Sequence, residues 1–185
     1  MADPTLQKVE QRMQGALEHL RREVASLRTG RASLSLLDHI MVPYYDTPTP
    51  LKQLATLSIP ESRLITIQPW DPSLIKAIEK AIASSDLGLT PSNDGKVIRL
   101  PIPPLSEERR KELVKVCKKY GEEAKIQIRG FRREGNEELK RRQKEGSLTE
   151  DELKRLEQEN QKLTDKYIQK VDELIKKKEE EILAI

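Results

Sequence analysis

Proline decides where this chain can be helical. Ten of its eleven prolines lie between Arg31 and Pro104, and a proline inside a helix removes a backbone hydrogen bond and clashes with the preceding turn, costing about 3 kcal/mol. Long helices are thereby confined to the segments on either side. N-terminal to the proline-rich stretch, Leu6, Val9, Met13, Leu17, Leu20, Val24 and Leu27 recur every three or four positions, the seam of an amphipathic helix. Asp3 and Pro4 supply an N-cap and a first-turn proline, and Gly30 a stop. This predicts a first helix from Asp3 to Thr29.

After Pro104 a second seam runs through Leu113, Cys117, Tyr120, Ala124, Ile128, Phe131, Gly135 and Leu139, from Ser106 to near Gly146. A third carries Leu153, Leu156, Asn160, Leu163, Tyr167, Val171, Leu174 and Ile182. Thr149 and Glu152 form a capping box at its start, and Leu148 stands where it can staple onto Leu153. The second and third helices predict rods of roughly 50 to 60 Å. Within Arg31 to Pro104 the pattern changes to β-branched runs: strands are expected at Ile40–Tyr45, Leu54–Ile59, Arg63–Gln68 and Lys96–Ile102, with a helix from Ser73 to Ser84 opened by Asp71 and Pro72.

Composition agrees with narrow seams. Charged residues make up 35% of the chain, hydrophobic residues only 36%, and there are one Phe, one Trp and four Tyr, too few for a wide core. The expected fold is α+β in two domains. Residues 1–30 and 105–185 form a long antiparallel three-helix bundle, and residues 31–104 a small α+β unit of mixed strands, inserted between the first and second helices. Two linkers join them, so the molecule is expected to be bent and elongated, with a hinge at Gly30, Arg31, Pro103, Pro104 and Leu105.

Net charge is only +3, yet its distribution is uneven. Residues 31–104 carry seven basic and seven acidic groups, residues 105–146 fourteen against nine, and residues 147–185 eight against eleven. On a helical wheel Lys111, Lys115, Lys118, Lys125, Arg129, Arg132, Arg133 and Lys140 fall within roughly 100°, away from the seam. Arg129, Arg132 and Arg133 place guanidinium forks on adjoining turns, a spacing suited to phosphates. Charged faces of long helices commonly serve only solvation; segregation of sign is what singles this one out as an RNA-facing surface. Arg28 and Arg31 flank the end of the first helix, where cations favour the helix dipole. Arg109 and Arg110 sit at the opposite, unfavourable end of the second helix, which points to contacts outside it. Gly121, Gly130 and Gly135 each cost about 1 kcal/mol inside a helix; close approach of a neighbouring helix or of an RNA backbone would justify them, and the sequence leaves both open.

Chemistry has little to work with. There is no phosphate loop, dinucleotide fingerprint or nucleophile elbow. His19 and His39 are expected at the surface, Cys117 in the seam, and Trp70 in the core of the inserted unit. No catalytic group, metal site or cofactor is expected. The N-terminus lacks the features of a signal peptide, no stretch approaches a membrane span, and the single cysteine excludes an internal disulfide. A cytoplasmic monomer that recognises the shape and phosphates of folded RNA, with no membrane or DNA partner, fits these features. A coiled-coil adaptor for a protein partner is the alternative, separable by the salt dependence of binding.

Several motifs are specific enough to identify a family. Leu27-Arg28-Thr29-Gly30-Arg31-Ala32, Tyr44-Tyr45 followed by Thr47-Pro48, Lys76 to Ala81, Ser85 to Leu89, Pro103-Pro104-Leu105 with Glu107 to Lys111, Arg132-Arg133 and Lys162 to Asp165 together resemble ribosome recycling factor along essentially the whole chain. The resemblance implies an L-shaped molecule that binds the post-termination ribosome, chiefly the rRNA of the large subunit. It further implies action with elongation factor G, which spends GTP to split the subunits. By similarity Arg132 is the foremost RNA contact, followed by Arg129, Arg133, Arg28 and Arg31. Gly130 departs from the family, which more often has Asn there.

Overall fold

The computed structural model describes residues 2–27 and 29–184. Packing divides the chain into two compact units, Met1–Val24 with Lys111–Ile185, and Ala25–Arg110.

Three helices build the first unit: α1 (Pro4–Ala25), α3 (Glu107–Lys144), whose first turn lies in the other unit, and α4 (Glu150–Leu183). Asp3 caps α1, its Oδ1 accepting from the Thr5 N–H at 2.9 Å, and also accepts from Arg142 at 3.0 Å, which ties the start of α1 to the end of α3. Further along, Arg12 pairs with Glu134 and its guanidinium lies 4.4 Å from the centre of the Phe131 ring. Partner numbers fall on α3 as they rise on α1, so the two are antiparallel. On α4, Asn160 meets Arg132 and Asn136, and Asp172 meets Lys125; this pair is antiparallel as well. Tyr167 of α4 donates its hydroxyl proton to Glu10 of α1 at 3.1 Å, which leaves α1 and α4 parallel.

The seam is one side chain wide. Met13 and Leu20 of α1, Cys117, Ile128 and Leu139 of α3, and Val171 and Ile182 of α4 are wholly buried. Phe131 and Tyr120, placed in the seam by periodicity, are half-buried at its margin. Two glycines let the helices close. A Cβ at Gly121 would stand 2.8 Å from Ile175 Cγ1, and one at Gly135 2.7 Å from Val9 Cγ2 and 3.2 Å from Asn160 Nδ2, whereas Gly130 has nothing within 4 Å. Helix approach therefore explains the first two and leaves Gly130 without a packing reason.

The turn between α3 and α4 is built from backbone bonds. Gly146, at φ 86°, sends its N–H to the Gln143 carbonyl at 3.1 Å, and Ser147 sends its own to that of Arg142 at 2.9 Å, a Schellman stop that needs the left-handed residue. Thr149 and Glu152 then form the expected capping box, at 3.1 and 3.0 Å. Leu148 and Leu153 both pack on the cluster of Leu6, Leu139 and Leu156.

In the second unit, β1 (Met41–Tyr44) and β2 (Thr47–Pro50) form a hairpin. Strands β3 (Ala55–Glu61), β4 (Leu64–Pro69), β5 (Ser92–Asn93) and β6 (Ile98–Pro101) form a sheet in the order β3-β4-β6-β5. Every pairing is antiparallel, not mixed. Helix α2 (Ile75–Ala83) buries Ile75, Ile78 and Ile82, which share a core with Ile65, Ile67, Ile98 and Leu100. The Asp71 carboxylate caps the single 3-10 turn, Pro72–Leu74, that leads into α2. β2 escaped the sequence reading because Pro48 and Pro50 interrupt it, which only a hairpin edge tolerates. Tyr45 and Asp46, at φ 48° and 62°, make the two-residue turn whose handedness matches the strand twist.

Three further expectations are corrected. Trp70 is 66% exposed, its indole N–H donating to Thr56 Oγ1 at 3.1 Å. Ile65, Ile67 and Pro69 are the buried residues of β4, so strand alternation turns residue 70 outward. Helix α1 stops at Ala25, short of Thr29, where the Ser35 hydroxyl donates to the Ala25 carbonyl at 3.4 Å. Gly30, at φ 81°, lies beyond the helix and faces Leu105, which is buried within the same unit.

Two predictions follow from the seam. Gly135→Ala should destabilise the protein by about 1 to 3 kcal/mol through overpacking, while Gly130→Ala should stabilise it by up to about 1 kcal/mol, both read from urea denaturation. Cys117, wholly buried and with its thiol pushed up to about 11 by that burial, should resist Ellman's reagent in the native state. It should react at once in denaturant, since the thiolate is the nucleophile.

Candidate nucleic-acid interface

The stripe read on the wheel lies on α3. Lys115, Lys118, Arg129, Arg133 and Lys140 are exposed. Seam residues Ala124, Ile128 and Gly135 hold the opposite face against α1 and α4, so packing of the bundle is what turns the cations outward. Among the described residues, Arg129 and Arg133 have no hydrogen-bond or ion-pair partner. They present full charges that need no exchange of partner before meeting a phosphate.

Arg132, one turn from Arg129, is half-buried and differently held. Its Nη1 donates to Gln161 Oε1 of α4 at 3.0 Å, and its backbone carbonyl accepts from Asn160 Nδ2 at 3.0 Å. Gln161 in turn donates from Nε2 to Asp165 Oδ1 at 2.9 Å. Arg132 is thus gripped at backbone and side chain by neighbouring residues of α4.

Lys125 is a correction. Expected in the solvent-facing stripe, its side chain is only 17% exposed and pairs with Asp172 of α4 and with Glu122 at 3.5 Å. The hydrogen bond to Asp172 is the main cause that raises its pKa. It staples α3 to α4, and a phosphate would have to compete with a carboxylate for it.

The remaining expected residues lie elsewhere. Arg31, exposed, and Arg109 and Arg110 belong to the second unit, together with the hinge residues Gly30, Pro103, Pro104 and Leu105. The Arg109 N–H is capped by Ser106 Oγ at 3.1 Å. Arg28 lies outside the described residues. What the structure brings together is accordingly Arg129, Arg132 and Arg133 along one face of α3. Gln161, Asp165 and the role of Asn160 were missed by sequence reasoning. The available signal was an asparagine at a seam position, which is costly unless it has a specific partner.

Groups with other chemistry are dispersed. His19 is exposed and faces Glu23 at 3.2 Å, His39 is exposed, and Cys117 is buried. Among the described residues no group of three His, Cys, Asp or Glu side chains could hold a metal ion, and no helix is long and apolar enough to cross a membrane.

Known proteins resemble this chain along its whole length. The family model described as Ribosome recycling factor matches residues 20–183. A ribosome-recycling factor of Halalkalibacterium halodurans is 56% identical over 185 residues, 100% of both chains, and one of Oleidesulfovibrio alaskensis is 55% identical over 99% of this chain and 100% of its own. A solution structure of a ribosome recycling factor superposes with a TM-score of 0.82 at 43% identity, covering 100% of both chains. A second structure, at TM-score 0.68 and 49% identity over 97% of each chain, comes from models of the T. thermophilus ribosome recycling factor and E. coli elongation factor G bound to the E. coli post-termination complex. A bundle that turns one basic face outward, an antiparallel α+β unit between its first two helices, and likeness of sequence and fold from end to end place this chain in the ribosome recycling factor family.

Proposed function

We propose that this protein binds the post-termination ribosome through the basic face of α3 and, with elongation factor G and GTP, promotes its dissociation into subunits and release from mRNA. The observation that carries the proposal is the cluster of Arg129, Arg132 and Arg133, outward on a packed helix and paired with no carboxylate among the described residues, in a chain of this family. Guanidinium forks on adjoining turns suit phosphates of folded rRNA, chiefly that of the large subunit. The chain lacks the interleaved aromatics of single-strand readers, having one Phe and one Trp.

The protein acts in the cytoplasm as a mechanical part, not an enzyme: GTP hydrolysis belongs to the elongation factor. Gly30, Arg31, Pro103, Pro104 and Leu105 serve as the hinge through which the second unit is driven while the bundle holds the rRNA. Arg28, Arg31, Arg109 and Arg110 contribute further phosphate contacts near the hinge.

Light scattering of post-termination ribosomes with elongation factor G and GTP tests the assignment. The wild-type protein should split the ribosomes, and Arg132→Glu should bind at least tenfold more weakly, roughly the loss of one charge-assisted contact, and fail to split them at matched concentration. Splitting by the variant equal to that of wild type would remove Arg132 from the contact surface.

A further inference from the structure

We propose that Gln161 of α4 is a positioning residue for Arg132, orienting the guanidinium through a neutral amide so that it is held without being neutralised. The inference rests on the reading of Arg132 as an RNA contact, and deepens it.

Carboxylates hold other cations of the bundle. Arg12 pairs with Glu134, Lys125 with Asp172, Arg141 with Glu138 at 2.6 Å and Arg142 with Asp3 at 3.0 Å. Each such pair cancels a positive charge, and a phosphate must displace the carboxylate before it can bind. Arg132 alone of these meets an amide oxygen, Gln161 Oε1 at 3.0 Å. The amide removes rotamer freedom from the arginine while leaving its full charge, and only Nη1 is occupied among the described residues. Nε and Nη2 remain for a bidentate contact.

The orientation of the amide is itself determined. A glutamine can turn either its oxygen or its nitrogen toward a neighbour. Asp165, one turn further along α4, is a carboxylate and only accepts; it takes the Gln161 Nε2–H at 2.9 Å, which directs Oε1 to Arg132. The adjacent Asn160 is wholly buried and fixes the backbone beneath, donating to the Arg132 carbonyl at 3.0 Å and to Asn136 Oδ1 at 2.8 Å. A carboxylate two hydrogen bonds away thus does its work through the glutamine, so that the arginine is aimed and its charge is left uncompensated by a direct carboxylate partner.

The test measures affinity for purified post-termination ribosomes across a salt series, using the full chain as wild type, Gln161→Glu, Gln161→Ala, Arg132→Ala and the double variant Gln161→Glu with Arg132→Ala. Gln161→Glu replaces the amide by a carboxylate of the same shape. It should weaken binding about tenfold and reduce the salt slope by roughly 0.7 to 0.9, one phosphate's worth, while its melting temperature equals or exceeds that of wild type. Gln161→Ala should weaken binding less and keep the slope. In the Arg132→Ala background, Gln161→Glu should cost nothing further. An equal cost in both backgrounds would mean that the new charge merely repels RNA, and would overturn the assignment. If both Gln161 variants bind as wild type while Arg132→Ala is weak, Gln161 does not position Arg132, though the RNA contact stands. Wild-type affinity and slope in Arg132→Ala would remove the contact, and the positioning role with it.

Discussion

Everything in the bundle depends on how closely three helices can approach along a seam one side chain wide. At Gly135, Val9 of α1 and Asn160 of α4 come so near that a single methyl group would have no room. Further along, Gly121 admits Ile175 in the same way. Each glycine sacrifices about 1 kcal/mol of helix propensity, but full burial of a Leu, Ile or Met is worth roughly 1.5 to 3 kcal/mol. The close approach therefore wins by a margin that several buried residues supply together. Surface ion pairs such as Arg155 with Glu159 at 3.9 Å contribute at most about 1 kcal/mol each. They tune the outer faces of the bundle and do not hold it together.

That hierarchy explains how α3 can carry an excess of cations. Because apolar burial on one side holds the helix, the opposite side is released from any duty to stabilise and can leave Arg129 and Arg133 without partners among the described residues. Acidic residues of the third helical segment take cations on α3 and on α4 itself: Asp172 pairs with Lys125, and Glu181 faces Lys178 at 3.7 Å. Lys178 lies deep enough that burial lowers its pKa. Charges that bridge helices serve packing, and charges left over define a surface.

Sequence alone revealed the long helices and their termini at α3 and α4, because proline placement and seam periodicity are one-dimensional signals. It did not reveal β2, whose prolines mimic a loop, nor the outward turn of Trp70, which requires knowing the phase of β4. The basic stripe was legible from the wheel, but Lys125 was misplaced within it. A wheel records angle on one helix, whereas the fate of Lys125 depends on Asp172 of another, forty-seven residues away in the chain. Gln161 was invisible for the same reason: nothing in its own neighbourhood distinguishes it from any exposed glutamine until Arg132 is brought alongside.

Asn160 connects the two levels. In a seam of leucines and isoleucines alone, α4 could slide along α3 by one heptad, about 10.5 Å, and still bury apolar surface. Such a slip would leave the Asn160 amide facing apolar side chains without the Arg132 carbonyl or Asn136 Oδ1, at a cost of about 1 to 3 kcal/mol for a buried polar group left unpaired. It would also move Asn160 off the notch at Gly135. The register that gives the Asn160 amide nitrogen its two acceptors is the one that sets Gln161 beside Arg132, since Asn160 and Gln161 are consecutive in α4. A polar residue that weakens the core in the abstract thereby couples the packing of the bundle to the geometry of its outer face, and the helix register and the direction of one guanidinium become a single structural decision.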